Sequence, residues 1–217
     1  MTLRLNGSSS GHTEIKAPAA AGDNTITLPT SNGSADQFLM NSGTAGELEF
    51  ASLTRGDMPA GSILQVIQTV KTDIFSTTSG NFNDVTGLTV TITPTSSSSK
   101  ILAMCYVNYG TASDDVRLAA RIVREEGGSD SVISQGDASG DRVRAMWIGR
   151  HANLVGAQEH VEIQILDSPS STNALTYKFQ TGRIDGGTLV VNDGRSDTNS
   201  SSHARPISTI TVMEVAG

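Results

Sequence analysis

Val116-Arg117-Leu118-Ala119-Ala120-Arg121-Ile122-Val123-Arg124 is the stretch on which the fold class turns. It is the best helix candidate in the chain. Yet Val116, Leu118, Ala120 and Ile122 alternate with Arg117, Ala119 and Arg121, which is the strand period of two. His160-Val161-Glu162-Ile163-Gln164-Ile165 alternates in the same way, as expected of a strand with one packed and one wet face. Reading 116–124 as a strand leaves no convincing helix. Strands are expected at 63–71, 85–93, 100–109, 116–124, 131–135, 143–149, 160–167, 174–182, 187–192 and 207–215, separated by Ser-, Gly-, Asp- and Asn-rich turns. Many short strands at this spacing predict an all-β protein, an antiparallel sandwich or barrel.

Two of these strands are apolar on both faces. One is Ile101-Leu102-Ala103-Met104-Cys105-Tyr106-Val107. In the other, Ile207, Met213 and Val215 oppose Ile210 and Val212. A strand of this kind needs a second partner surface. A subunit interface would supply it, and Ile101, Ala103, Cys105, Val107, Ile210 and Val212 are the residues expected there. The alternative is a central strand covered by its own loops.

Residues 1–60 read differently from 61–217. Small apolar islands (Leu3/Leu5, Ile15, Ile26/Leu28, Phe38/Met40, Leu48/Phe50) recur at steps of 12, 11, 12 and 10 residues, between turns such as Gly7-Ser8-Ser9-Ser10-Gly11 and Ser31-Asn32-Gly33-Ser34. Each short strand offers one or two apolar side chains. An isolated ribbon of this kind cannot offset an ordering cost of roughly 1–2 kcal/mol per residue. Three copies around one axis would share a core; the alternative is a flexible leader. Arg55-Gly56-Asp57 matches an adhesive tripeptide, but Thr54 to Gly61 reads more simply as a chain reversal ended by Pro59.

Composition removes several classes. The chain has 217 residues, 36 % hydrophobic and 17 % charged, with 27 serines, 24 threonines and 22 glycines. No run approaches the roughly 20 apolar residues of a membrane helix, so no membrane insertion is expected. A net charge of −7 argues against nucleic-acid binding. Cys105 is the single cysteine, so no disulfide framework and no cysteine zinc site is expected. The histidines His12, His151, His160 and His203 lack metal-ligand spacing. No nucleophile elbow or phosphate-binding loop occurs. The carboxylates Asp137 and Asp141, and Asp185, Asp193 and Asp197, lie in turns where Asp bonds local amides, although a glycan-degrading pair or a calcium site would use the same residue type. No catalytic residue, metal or cofactor is expected. Trp147, the only tryptophan, shares its expected strand face with Val143 and Ala145 and reads as a core residue, with a sugar-stacking platform as the other possibility. Arginine outnumbers lysine 11 to 4, which suits inter-subunit carboxylate pairs or an acidic glycan.

The repeat Gly7-Ser8-Ser9-Ser10-Gly11 … Glu14-Ile15-Lys16-Ala17-Pro18-Ala19-Ala20-Ala21-Gly22 … Asn24-Thr25-Ile26-Thr27-Leu28-Pro29 resembles the stem of fibre proteins from tailed, marine-type bacteriophages. Leu53 to Ser62 resembles their stem-to-knob junction. Gly87 to Pro94, Ser99 to Leu102, Gly136 to Gly140 and Ile207 to Val215 are similar to their knobs. The resemblance implies a homotrimer, an extended β-rich trimeric stem at 1–60, and at 61–217 an antiparallel jelly-roll sandwich knob of the C1q and TNF type. It implies attachment to other virion proteins through the stem, exposure on the virion surface, and recognition of host cell-surface polysaccharide. Met1 leads almost directly into the repeat, so a head fibre or capsid decoration fits as well as a tail fibre. Within the knob, 192–203 is the longest polar stretch, and Asp193, Arg195, Asp197, Asn199 and His203 are the expected receptor-binding residues. The loops at 110–115 and 136–142 come next, and a plain connector is the alternative reading of 192–203.

Overall fold

The first two strands, β1 (Thr2–Asn6) and β2 (His12–Lys16), form an antiparallel hairpin in which Leu3 lies opposite Ile15 and Arg4 opposite Glu14. Period-two alternation therefore gives the hairpin an apolar face and a charged one. On the charged face Arg4 donates to His12 Nδ1 at 2.8 Å, and Lys16 pairs with Glu14 at 2.6 Å. A second hairpin joins β3 (Phe38–Asn41) and β4 (Leu48–Ala51), with Phe38 opposite Ala51. Thr27 docks beside it through a parallel bridge to Glu47, and its amide donates to Gly46 O at 2.7 Å. Gly46 sits at φ +83, and a Cβ there would lie 2.2 Å from Thr25 O, so only glycine permits this approach.

The structure is a computed structural model and describes residues 2–20, 22–112, 116–151, 158–194, 199, 201 and 203–217. It divides into two units, Met1–Asp57 and Met58–Gly217. Among the described residues of the first unit no side chain is buried, and Leu3, Leu5, Ile15, Ile26, Leu28 and Phe38 are all more than half exposed.

The second unit is an antiparallel β-sandwich, and the fold is all-β. Its strands are β5 (Ile63–Lys71), β6 (Phe75–Thr77), β7 (Asn83–Ile92), β8 (Lys100–Thr111), β9 (Val116–Glu126), β10 (Ser129–Val132), β11 (Trp147–His151), β12 (Glu159–Asp167), β13 (Leu175–Asp185), β14 (Leu189–Val191) and β15 (Ser208–Val215). One sheet runs β10-β9-β13-β7, with β11 also on β9. In the other, β12 covers one side of β8, while β15 and then β14 share its other side; β5 and β6 flank those two. Segment 116–124 is a strand, as its alternation predicts. Phe75–Thr77 is an additional strand too short to show a pattern.

Side chains of alternating parity from both sheets fill the space between them. Leu88, Ile101, Leu118, Ile122, Leu175, Phe179, Ile210 and Val212 are at most 2 % exposed. Burial of each such side chain contributes roughly 1.5–3 kcal/mol. This second unit therefore has the core that the first lacks.

The expected strand at 143–149 is corrected: regular pairing begins only at Trp147. Residues 135–145 instead leave the sheet as an excursion closed by Arg144 Nε donating to Gly136 O at 2.7 Å. Val143, expected on the core face, is 43 % exposed, whereas Met146 and Trp147 pack on the core. The alternation of 142–145 carries no strand information because those residues pair with no neighbouring strand; contact with β9 begins at Met146, whose amide donates to Ala120 O at 3.0 Å.

The two ends of the sandwich differ. The unit's first strand starts beside its last residue: Gly61 N donates to Ala216 O at 2.8 Å, and Ala216 N to Ser62 O at 2.9 Å. Strand registers place the 93–100 and 126–129 turns at this same end. The loops after Lys71, Thr111, Asp185 and Val191 lie at the opposite end.

Candidate recognition and assembly surfaces

Recognition was expected on the stretch 192–203, whose root is built from polar side chains that are themselves buried. Asn192 is fully enclosed and sits at φ +61, a left-handed conformation that Asn tolerates. Its amide nitrogen donates to Lys71 O at 2.9 Å and Asp73 O at 3.0 Å, and its Oδ1 accepts from the Ser208 hydroxyl at 2.5 Å. Ser208 Oγ in turn accepts from Asn108 N at 3.0 Å. Both ends of the loop are thus tied to β8 and to the chain after β5. Lys71 is 2 % exposed, and its Nζ donates to Asp73 Oδ1 at 2.8 Å.

The expected receptor residues fall into three groups. Asp193 is a correction: it is 8 % exposed and its Oδ1 accepts from Gly194 N at 2.8 Å, so it belongs to the root. Asn199 and His203 are exposed. Arg195 and Asp197 lie outside the described residues. Of the two other loops named, 110–115 lies at the same end of the sandwich, with 113–115 outside the described residues. The loop at 136–142 lies on the flank beside β9, not at that end.

The six residues expected at a subunit interface are also a correction. Ile101, Ala103, Cys105, Val107, Ile210 and Val212 are at most 3 % exposed within one chain and belong to the core between the sheets. Burial raises the Cys105 thiol far above its ordinary range, so it stays protonated. These six side chains meet the facing sheet. The surface left over is the opposite parity: Leu102, Met104 and Tyr106 on β8, Thr209, Thr211 and Met213 on β15.

The carboxylates do not converge. Asp137 and Asp141 are exposed in the flank excursion. Asp185 is held by Arg117, whose Nε lies 3.1 Å from Oδ2 and whose amide donates to Oδ1 at 3.1 Å. Among the described residues no group of three or more His, Cys, Asp or Glu is placed to hold a metal. Asp57 of the Arg-Gly-Asp tripeptide accepts from Thr54 N at 2.7 Å and Thr54 Oγ1 at 2.8 Å, which lowers its pKa. Its carboxylate is thereby engaged with its own turn.

Trp147 packs against the core, with its ring edge-on to Tyr109 at 5.5 Å. A Cβ on Gly149 would lie 2.0 Å from Trp147 Cη2, so the indole lies over the glycine. Arg121 places its guanidinium 4.0 Å over the Phe82 ring and donates through Nε to Gln180 at 2.8 Å. Both arginine partners are in the same chain.

Sequence reasoning missed two charged groups that brace the sandwich, one half-buried and one fully buried. Arg124 donates to Asp167 Oδ2 at 2.7 Å, and the Tyr177 hydroxyl donates to the same oxygen at 2.8 Å, joining the two sheets. Glu214 is fully enclosed and accepts from Gln65 Nε2, Thr95 N and Thr95 Oγ1, each at 2.6 Å. The signal was present in parity: Glu214 shares a strand face with Ile210 and Val212.

No protein-family model matches the chain, and no curated protein does. Solved structures that resemble it include infectious bursal disease virus Gx strain (12 % identity, TM-score 0.35, covering 82 % of this chain and 42 % of that one). The Gt strain of the same virus gives 10 % identity and TM-score 0.38, covering 98 % and 46 %. Mutant VP2 protein of infectious bursal disease virus in T=1 particles gives 10 % and 0.37, covering 98 % and 44 %. The chain spans less than half the length of each. With overlap this low, what the chain does has to be read from its own residues.

Proposed function

We propose that this chain is a non-enzymatic virion fibre protein of a tailed bacteriophage. In this reading it is a homotrimer with residues 1–60 as stem and 61–217 as knob, exposed on the particle, and the knob meets host cell-surface polysaccharide. The observation that carries the reading is the contrast between the units. The first folds its strands into hairpins yet encloses no described side chain, while the second has a complete core of its own. A unit of that kind stands only when other chains cover it, and copies of itself meet that need in the fibre stems it resembles. The buried polar root at Asn192, Asp193 and Ser208, on the end of the sandwich opposite Gly61 and Ala216, supports presentation of the polar stretch 192–203 to a glycan. Three copies would raise avidity well beyond one site.

The amphipathic β1–β2 hairpin favours a second reading, a capsid decoration or head fibre, in which Leu3, Leu5 and Ile15 seat on a neighbouring virion protein. Sedimentation of the full chain tests the trimer, and monomer at micromolar concentration refutes it. Binding to host polysaccharide, with and without residues 194–202 replaced by a Gly-Ser linker, tests the loop. Equal binding by both forms moves recognition elsewhere. A cryo-EM map of the virion showing a hairpin buried in capsid selects the second reading.

A further inference from the structure

Only two asparagines, Asn6 and Asn32, precede a glycine, and both lie in the first unit. An Asn-Gly pair can react with itself. The glycine amide nitrogen attacks the side-chain carbonyl carbon of the asparagine, and the missing Cβ leaves that nitrogen unshielded. For the attack the nitrogen must give up its proton and turn toward the asparagine side chain. Whether it can do so depends on what already holds it.

The two pairs are held differently. Asn6 ends β1 opposite His12, and Gly7 N donates to Gly11 O at 3.0 Å. A Cβ on Gly7 would lie 2.5 Å from Ser10 O, so the residue is packed into its turn. Reaction at Asn6 requires the end of the hairpin to open first. Asn32 and Gly33, in contrast, belong to no strand and are both exposed. Among the described residues neither the Asn32 side chain nor Gly33 N has a hydrogen-bond partner. The Phe50 ring lies over Gly33, where a Cβ would stand 2.6 Å from Cδ1, a contact that glycine alone admits.

We infer that Asn32 is a site of spontaneous covalent modification in the folded chain, and that Asn6 is protected from the same reaction. The Gly33 nitrogen bonds to Asn32 Cγ, the Cγ–Nδ2 bond breaks, and the displaced nitrogen leaves as ammonia with the proton that Gly33 gave up. The cyclic imide then takes up water. Opening at the side-chain carbonyl gives aspartate. Opening at the main-chain carbonyl gives isoaspartate, in which the backbone runs through the former side chain and is longer by one methylene. Either product replaces a neutral amide with a carboxylate. Asn32 lines a groove of about 540 Å³ together with Gln37, Glu47, Glu49 and Phe50, so the change adds a third carboxylate to a groove that already holds two. The isoaspartyl backbone also moves Gly33 from beneath Phe50. The surface of the first unit thus changes with age and needs no enzyme to do so. None of this depends on the chain being a fibre protein.

The test is incubation of the full chain, folded and in urea, in the same mildly alkaline buffer, with tryptic digestion at intervals. Cleavage after Arg4, Lys16 and Arg55 places Asn6 in peptide 5–16 and Asn32 in peptide 17–55, and tandem mass spectrometry measures amide turned to acid at each position. In urea the two are expected to convert at similar rates, since glycine follows both. In the folded chain Asn32 keeps its urea rate, while Asn6 is slowed at least about threefold. A folded-state rate at Asn32 no greater than that at Asn6 overturns the assignment.

Discussion

Glu214 shows how one residue couples the sandwich to pH. Burial favours the neutral acid, but donation from Thr95 and Gln65 outweighs it and holds the pKa below the ordinary glutamate value of 4.5. The folded pKa is thus lower than the unfolded one. The stabilisation is complete above the unfolded value and is lost as pH falls through the folded value. The thermal midpoint should fall on acidification below about pH 4.5, and Glu214→Gln should flatten that slope in a series of melts. Glu214→Ala leaves the Thr95 amide without its acceptor and Gln65 Nε2 with Thr93 O alone, and should cost about 1–3 kcal/mol by urea titration. A second residue-scale outcome concerns Gly149. Alanine there forces the indole of Trp147 off its seat, at a cost of about 1–3 kcal/mol. Since Trp147 is the only tryptophan, a red-shifted emission spectrum reports the displacement directly.

At the scale of elements, the loop after β14 is held by its root and not by its own length. Asn192 and Ser208 lie on either side of it, and their bonds run to β8 and to the turn after β5. Replacing 194–202 by a short Gly-Ser linker should therefore leave the melting midpoint within a few degrees of wild type. Asn192→Ala should lower it more than the whole loop replacement does, because it strands two backbone carbonyls and demands a left-handed alanine.

Element legibility followed the same logic. Strands with a buried face, such as 116–124 and 160–165, declared themselves because burial imposes period two on the residues. The stretch 142–145 imitated that period on an excursion outside the sheet, where nothing enforces it. The two-faced strands were read as needing a second partner surface, but parity cannot tell which face meets the other sheet and which meets solvent. That choice depends on the register of β15 against β8, a non-local fact, and it reversed the placement of Ile101 through Val212. Asn192 was invisible for a related reason: its value lies in backbone carbonyls more than a hundred residues away.

For the whole molecule, the division of burial predicts a division of stability. Residues 58–217 alone should fold, with strand-type circular dichroism and a cooperative melt, since every buried residue of the described chain belongs to them. Residues 1–57 alone should show no cooperative transition at concentrations where they do not associate. An unfolded 58–217 fragment would contradict this. One further consequence follows from the pair of hydrogen bonds between Gly61, Ser62 and Ala216. Tension applied between residues 61 and 217 acts at one end of the β5–β15 ladder and peels its bonds one after another, at low force. Tension between residue 61 and the loop after β14 runs along those strands and loads the whole ladder in shear at once. Single-molecule extension along the two axes should therefore give clearly different rupture forces.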